Sequence, residues 1–164
     1  MKNFQKDPHF TIHCITEDII RYIKKNEFIF LLQPQYELNT RKIIGAEALV
    51  RWNHPALGEI SPAVFIPVLE NNGYITKLDQ KIWEDVCAMI RRWIDEGIKP
   101  LASSINVTKT DLLAMDVVEI FDELLKKYRI PPKYLNIDIA ENAYKAQSTP
   151  TTPTMISSIP VLYS

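Results

Sequence analysis

The apolar positions along this chain switch between the period of a helix and the period of a strand. Ile19, Ile20 and Ile23 share a helical face behind Thr16-Glu17-Asp18, a cap residue followed by acids that suit the positive helix end. Asn26 closes that predicted helix. Phe28-Ile29-Phe30-Leu31-Leu32 is a short apolar run and predicts a buried strand stopped at Pro34. Asn39-Thr40-Arg41 is turn-like, and the next strand is expected over 43–51. Pro55 and Gly58 break the chain. Ser61-Pro62 opens a helix, since proline is tolerated at the first helical position. Pro67 predicts a second break, leaving 62–71 as two short helical turns.

The strongest helical pattern follows Thr76-x-x-Asp79: Leu78, Ile82, Val86, Met89 and Trp93 recur at three- and four-residue steps. At this spacing Trp83, Met89 and Trp93 read as core packing. Gly97 is a C′ stop. A strand is expected over 101–107. Thr108-x-x-Asp111 and Asp116-x-x-Glu119 then start helical stretches, the second with Val117, Ile120, Phe121, Leu124 and Tyr128 as its apolar face. Pro131-Pro132 ends it, and alternating Leu135, Ile137 and Ile139 predict a strand over 134–139. The order α-β-β-α-α-β-α-β predicts an α/β fold with a mainly parallel sheet and helices on its outside.

Composition narrows the function. The chain has 164 residues, 46% hydrophobic and 24% charged, enough for one sizeable core. A formal net charge of -1 gives no basic face for a nucleic-acid polymer. No apolar run approaches the ~18 residues of a membrane span. Cys14 and Cys87 lie far apart without a CxxC partner, which predicts buried or free thiols in a reducing cytoplasm rather than a bridge or a metal site. The 4 glycines form no phosphate-cradling cluster.

Polar residues mark the carboxyl ends of three predicted strands: Glu47 to Arg51, Ser104 to Thr108, and Asp138 to Glu141. Ligands gather at that end of parallel α/β sheets. A carboxylate, an amide oxygen and a second carboxylate are the donors that hard cations such as Mg²⁺ or Mn²⁺ prefer. Arg51 lies an even number of residues from Glu47, so both can point the same way, and a guanidinium there suits phosphate. The plainer reading of the same residues is ordinary caps and surface carboxylates. His54 reads as a loop-structural residue.

Gln33-Pro34, Glu47-Ala48-Leu49-Val50-Arg51-Trp52, Phe65-Ile66-Pro67-x-x-Glu70 and Ser104-x-Asn106-Val107-Thr108 resemble successive motifs of bacterial EAL domains. These are cyclic-di-GMP (c-di-GMP) phosphodiesterases with a modified TIM-barrel fold. The resemblance covers roughly 16–142. It implies that Glu47, Asn106 and Asp138 are metal ligands for Mg²⁺ or Mn²⁺. It implies that Gln33 bonds a guanine, that Leu49 and Arg51 contact the dinucleotide, and that Pro67 shapes the pocket wall. Glu141 aligns with a loop-supporting Glu. The reaction implied is metal-dependent hydrolysis of c-di-GMP to linear pGpG.

Two departures from the family pattern bear on activity. Asp138 stands where the family has Glu, and Ala140 where it has Thr. The later D-D-F-G-x-G segment, the catalytic Lys strand and the late Glu and Gln have no counterpart after Glu141. A closed barrel typically takes ~250 residues. The expectation is therefore a TIM-barrel-like fold truncated after about four strands, inactive as this chain. The alternative is a degenerate domain acting as a c-di-GMP receptor or protein-interaction module; a third is a remnant with no retained ligand. The open edge would be covered by tail packing or by a homodimer, or the chain is a fragment. The division expected is a lead-in at 1–15, the EAL-like domain at 16–142, and a Ser/Thr/Pro-rich tail at 143–164.

Overall fold

The structure is a computed structural model and describes residues 21, 23, 25 and 27–139. The helix expected from Thr16 to Asn26, the tail and Glu141 fall largely or wholly outside the described residues. Strand β1 (Phe28–Tyr36) turns back into β2 (Ile43–His54), and β3 (Gly58–Ile60) folds back again on the end of β2. Helices α1 (Pro62–Asn71) and α2 (Ile75–Asp95) lead to β4 (Ser103–Val107). Helices α3 (Lys109–Ala114) and α4 (Val117–Tyr128) lead to β5 (Leu135–Ile139) through a 3-10 turn at Pro132–Tyr134.

The sheet runs β1-β2-β4-β5, with β3 paired to β2. The β2–β4 and β4–β5 pairs are parallel, as helical crossovers demand. The β1–β2 pair is antiparallel, so the sheet is mixed rather than mainly parallel. The short connection between these strands is the cause: it makes a hairpin and is too short for a crossover.

One core lies between the sheet and the helices. Ala48, Val50 and Trp52 from β2 and Ile105 and Val107 from β4 meet Phe65 and Leu69 of α1 and Leu78, Trp83 and Val86 of α2. Phe28 stacks on Trp52 at 5.0 Å, and Phe65 meets the Trp52 ring edge-on at 5.8 Å. The opposite sheet face carries the alternate residues of each strand.

Both prolines behave differently from their local expectation. Strand β1 continues through Pro34, which stands opposite Ala46. The Ala46 N–H donates to the Ala102 carbonyl, toward β4. Pro34 and Ala46 are thus a non-hydrogen-bonded pair, and the proline nitrogen faces the outer edge, where no donor is needed. Among the described residues the expected buried run is an edge strand, in which Phe28 is buried and Leu31 is 49% exposed. Likewise Pro67 lies inside α1, which is one helix. A proline there costs ~3 kcal/mol. Burial of Phe65, Ile66 and Leu69, at ~1.5–3 kcal/mol each, outweighs that cost.

The helix boundaries follow recognisable chemistry. Helix α2 starts after Tyr74, slightly ahead of the expected Thr76, and ends before Gly97 at φ 73°, the C′ stop that was expected. Thr108 and Asp111 form a full capping box on α3, and Asp116 accepts from the Glu119 N–H at 3.0 Å to cap α4. The short β3 was not expected. His54 organises its turn: its Nδ1 accepts from the N–H groups of Ala56 and Leu57, both at 3.1 Å.

Candidate functional site

The residues expected to form a site sit on the sheet face away from the helices. In β2 the core takes Ala48, Val50 and Trp52, so Glu47, Leu49 and Arg51 point to the other side. Antiparallel register places Gln33 opposite Glu47, Leu31 opposite Leu49 and Ile29 opposite Arg51. In β4 the core takes Ile105 and Val107, which turns Ser104 and Asn106 to the same face as Glu47. Glu47 stands opposite Ser104, and Asn106 opposite Asp138. Six of the eight expected residues, Gln33, Glu47, Leu49, Arg51, Asn106 and Asp138, thus share one face.

Two of them touch. The side-chain Nδ2–H of Asn106 donates to Glu47 Oε1 at 3.0 Å. The parallel neighbours β2 and β4 bring them together, and the diagonal offset between their positions is within side-chain reach. Both are half-buried. Arg51 has two contacts of its own: one terminal guanidinium nitrogen donates to the Val50 carbonyl at 2.8 Å, and Nε lies 3.9 Å from Glu59 Oε1. Glu59 was not expected at the site. It arrives on β3, opposite Asn53, and the Pro55-to-Gly58 turn was the sequence signal for that return.

Pro67 is not carried by the strands that hold these six. It is an exposed residue of α1, on the helical side of the sheet. Glu141 lies outside the described residues. Among the described residues no three His, Cys, Asp or Glu side chains cluster as a metal site. The donor chemistry of Glu47, Asn106 and Asp138 nevertheless fits a hard cation, since every ligating atom would be oxygen. Asn106 presents its amide nitrogen to Glu47, and turning the amide over would present oxygen instead.

The strand end is held rigidly. Thr108, two residues past Asn106, is 6% exposed and accepts from the Asp111 N–H at 3.2 Å. Asp111, 0% exposed, accepts in return from the Thr108 N–H and hydroxyl at 2.8 and 2.7 Å. Both contacts satisfy donors that a helix start leaves open.

This mixed sheet, with polar residues massed toward the carboxyl ends of its parallel strands and helices on the other face, is that of an α/β domain of the barrel-like class. A sequence profile of the EAL domain matches residues 16–158, and the chain belongs to the EAL domain family. An uncharacterised protein of Mycobacterium tuberculosis is 32% identical over 139 residues, which cover 84% of this chain and 45% of the relative. The cyclic di-GMP phosphodiesterase RocR of Pseudomonas aeruginosa is 32% identical over 124 residues, 76% of this chain and 31% of RocR. The chain thus spans less than half the length of these curated relatives. Among solved structures, a PaMucR phosphodiesterase–c-di-GMP complex superposes with a TM-score of 0.72 at 23% identity, over 82% of this chain and 56% of that one. The Xanthomonas citri FimX EAL domain, in complex with c-di-GMP, gives 0.70 at 16% identity, over 84% and 53%. The fold is therefore the TIM-barrel-like fold of EAL domains, with a sheet that is not closed among the described residues. Phosphodiesterases of this family are generally metal-dependent. No helix among the described residues is long and apolar enough to cross a membrane.

Proposed function

We propose that the open sheet face of this chain is a c-di-GMP recognition surface. The observation that carries this reading is the Asn106–Glu47 contact, on the same face as Gln33, Leu49, Arg51 and Asp138. Gln33 would bond a guanine edge with its amide, and Leu49 would give the base an apolar contact. Arg51 would meet a phosphate through its guanidinium, a planar fork matched to phosphate oxygens. Glu47, Asn106 and Asp138 would hold Mg²⁺ or Mn²⁺, whose contribution is polarisation of a phosphoryl oxygen.

The reading is one of binding: Glu47, Asn106 and Asp138 are a single set of oxygen donors, and residues 140–164 hold no D-D-F-G-like segment that would add a second acidic set. A chain that carried that segment would hydrolyse the dinucleotide to linear pGpG. The free thiol of Cys87 fits a cytoplasmic setting; burial, with Glu84 nearby, pushes it up to about 12 and keeps it neutral. The outer strands β1 and β5 offer edges through which two copies would pair.

Calorimetry with c-di-GMP and Mn²⁺ tests the reading. It expects measurable heat from the unaltered chain and at least ~10-fold weaker binding by Arg51→Ala, from the loss of a charge-assisted contact. No heat from the unaltered chain, with or without metal, would remove the receptor reading.

A further inference from the structure

The β2–β4 register ends at the Glu47–Ser104 pair, and Asn106 lies two residues beyond it. There the Asn106 carbonyl accepts from the indole Nε1–H of Trp83 at 3.1 Å. Trp83 is 1% exposed, and its ring lies against Phe121 at 4.7 Å between centroids. A cavity of about 10 Å³ between Ala48 and Val50 on β2, Ile105 on β4 and this indole marks the place where the strands part. Leucine or phenylalanine would leave part of this space empty and would bring no donor. Only the indole adds a donor at that depth.

We propose that Trp83 is a positioning residue for the recognition face: its N–H pins the Asn106 main chain, so that the Asn106 side chain stays directed at Glu47. A half-buried carbonyl beyond the end of the β2–β4 ladder needs a donor, and an unpinned strand end would leave Asn106 free to turn away. Trp83 acts through Asn106, whose carbonyl it bonds from the core side of the sheet. Its role in cation affinity rests on the reading of Glu47 and Asn106 as ligands; its role in orienting Asn106 does not.

The test uses the full 164-residue chain with Trp83 replaced by 3-benzothienylalanine, which keeps the bicyclic shape and lacks the N–H. Nitrogen NMR follows the Asn106 side-chain amide, assigned by its loss in Asn106→Asp. Exchange of that amide with water should quicken about five- to ten-fold, the scale of one neutral hydrogen bond. Mn²⁺ affinity, read from paramagnetic broadening, should fall about ten-fold, as for other groups that orient metal ligands. An unchanged Asn106 amide in the isostere overturns the proposal. If the amide changes while Mn²⁺ broadens Asn106 in neither protein, the positioning role stands and the ligand reading falls. In the unaltered chain, the Trp83 Nε1–H should exchange as slowly as the β4 amides. Exchange at the free-indole rate overturns the proposal without any substitution.

Discussion

The side-chain amide of Asn106 donates to Glu47 Oε1 at 3.0 Å, joining residues 59 positions apart. The contact links adjacent parallel strands on the face opposite the core. It places an amide and a carboxylate where one cation would meet both. Asn106→Ala should therefore weaken Mn²⁺-supported c-di-GMP binding by at least ~10-fold, while stability changes by ~1 kcal/mol or less. Calorimetry and urea unfolding on the same variant separate the two effects. A large stability loss with unchanged affinity would make the contact structural.

Arg51 lies 3.9 Å from Glu59, whose side chain is 64% exposed. A pair this open gains little in water. The same acid competes with any phosphate that approaches Arg51. Glu59→Gln should tighten c-di-GMP binding by about two- to three-fold, in line with a surface pair of ~0.5 kcal/mol, with the gain shrinking at high salt. Weaker binding by Glu59→Gln would mean that the acid orients Arg51 instead of competing for it.

Thr108 and Asp111 bond each other through both members of the capping box and are buried. Thr108→Ala removes one acceptor and one donor, leaving the Asp111 N–H and carboxylate short of partners. The expected cost is about 1–2 kcal/mol in urea unfolding, the range for a lost N-cap. Unchanged stability would mean that solvent replaces the box freely.

Glu84 on α2 accepts from Lys127 and from the Tyr128 hydroxyl, the latter at 3.0 Å, on α4. The Lys127 bond and then the Tyr128 bond hold its carboxyl below the usual carboxylate range. A carboxyl with a depressed folded-state pKa stabilises above its unfolded value, and that contribution is lost as pH falls through the folded value. Glu84→Gln should flatten the acid limb of stability against pH below about pH 5, and should leave the shape of the curve between pH 6 and 8 unchanged. Urea midpoints measured across both ranges check this. Parallel acid limbs in the two proteins would show that the helix–helix contact contributes nothing to folding.

Much of the site was legible because strand alternation is local. Glu47, Leu49 and Arg51 share a face by parity alone, and the Thr108 and Asp116 caps are written in four-residue patterns. What was not legible depends on partners distant in sequence. Pro34 is tolerated because β1 is an edge strand among the described residues, a fact set by sheet order. Pro67 is carried by the burial of its neighbours. Pro67 was tied to the pocket by its motif; it lies exposed on α1, a placement that sequence spacing does not show. The indole of Trp83 matched helical spacing, and only the tertiary fold shows that its N–H reaches Asn106.

On the proposed reading the polar sheet face, and not the helical side, receives c-di-GMP. Chemical-shift mapping of the full chain with c-di-GMP and Mg²⁺ tests it most directly. Shifts should concentrate at Gln33, Glu47, Leu49, Arg51 and Asn106, and should disappear in Glu47→Ala. Shifts confined to α1, α2 and α4, or none at all, would contradict it.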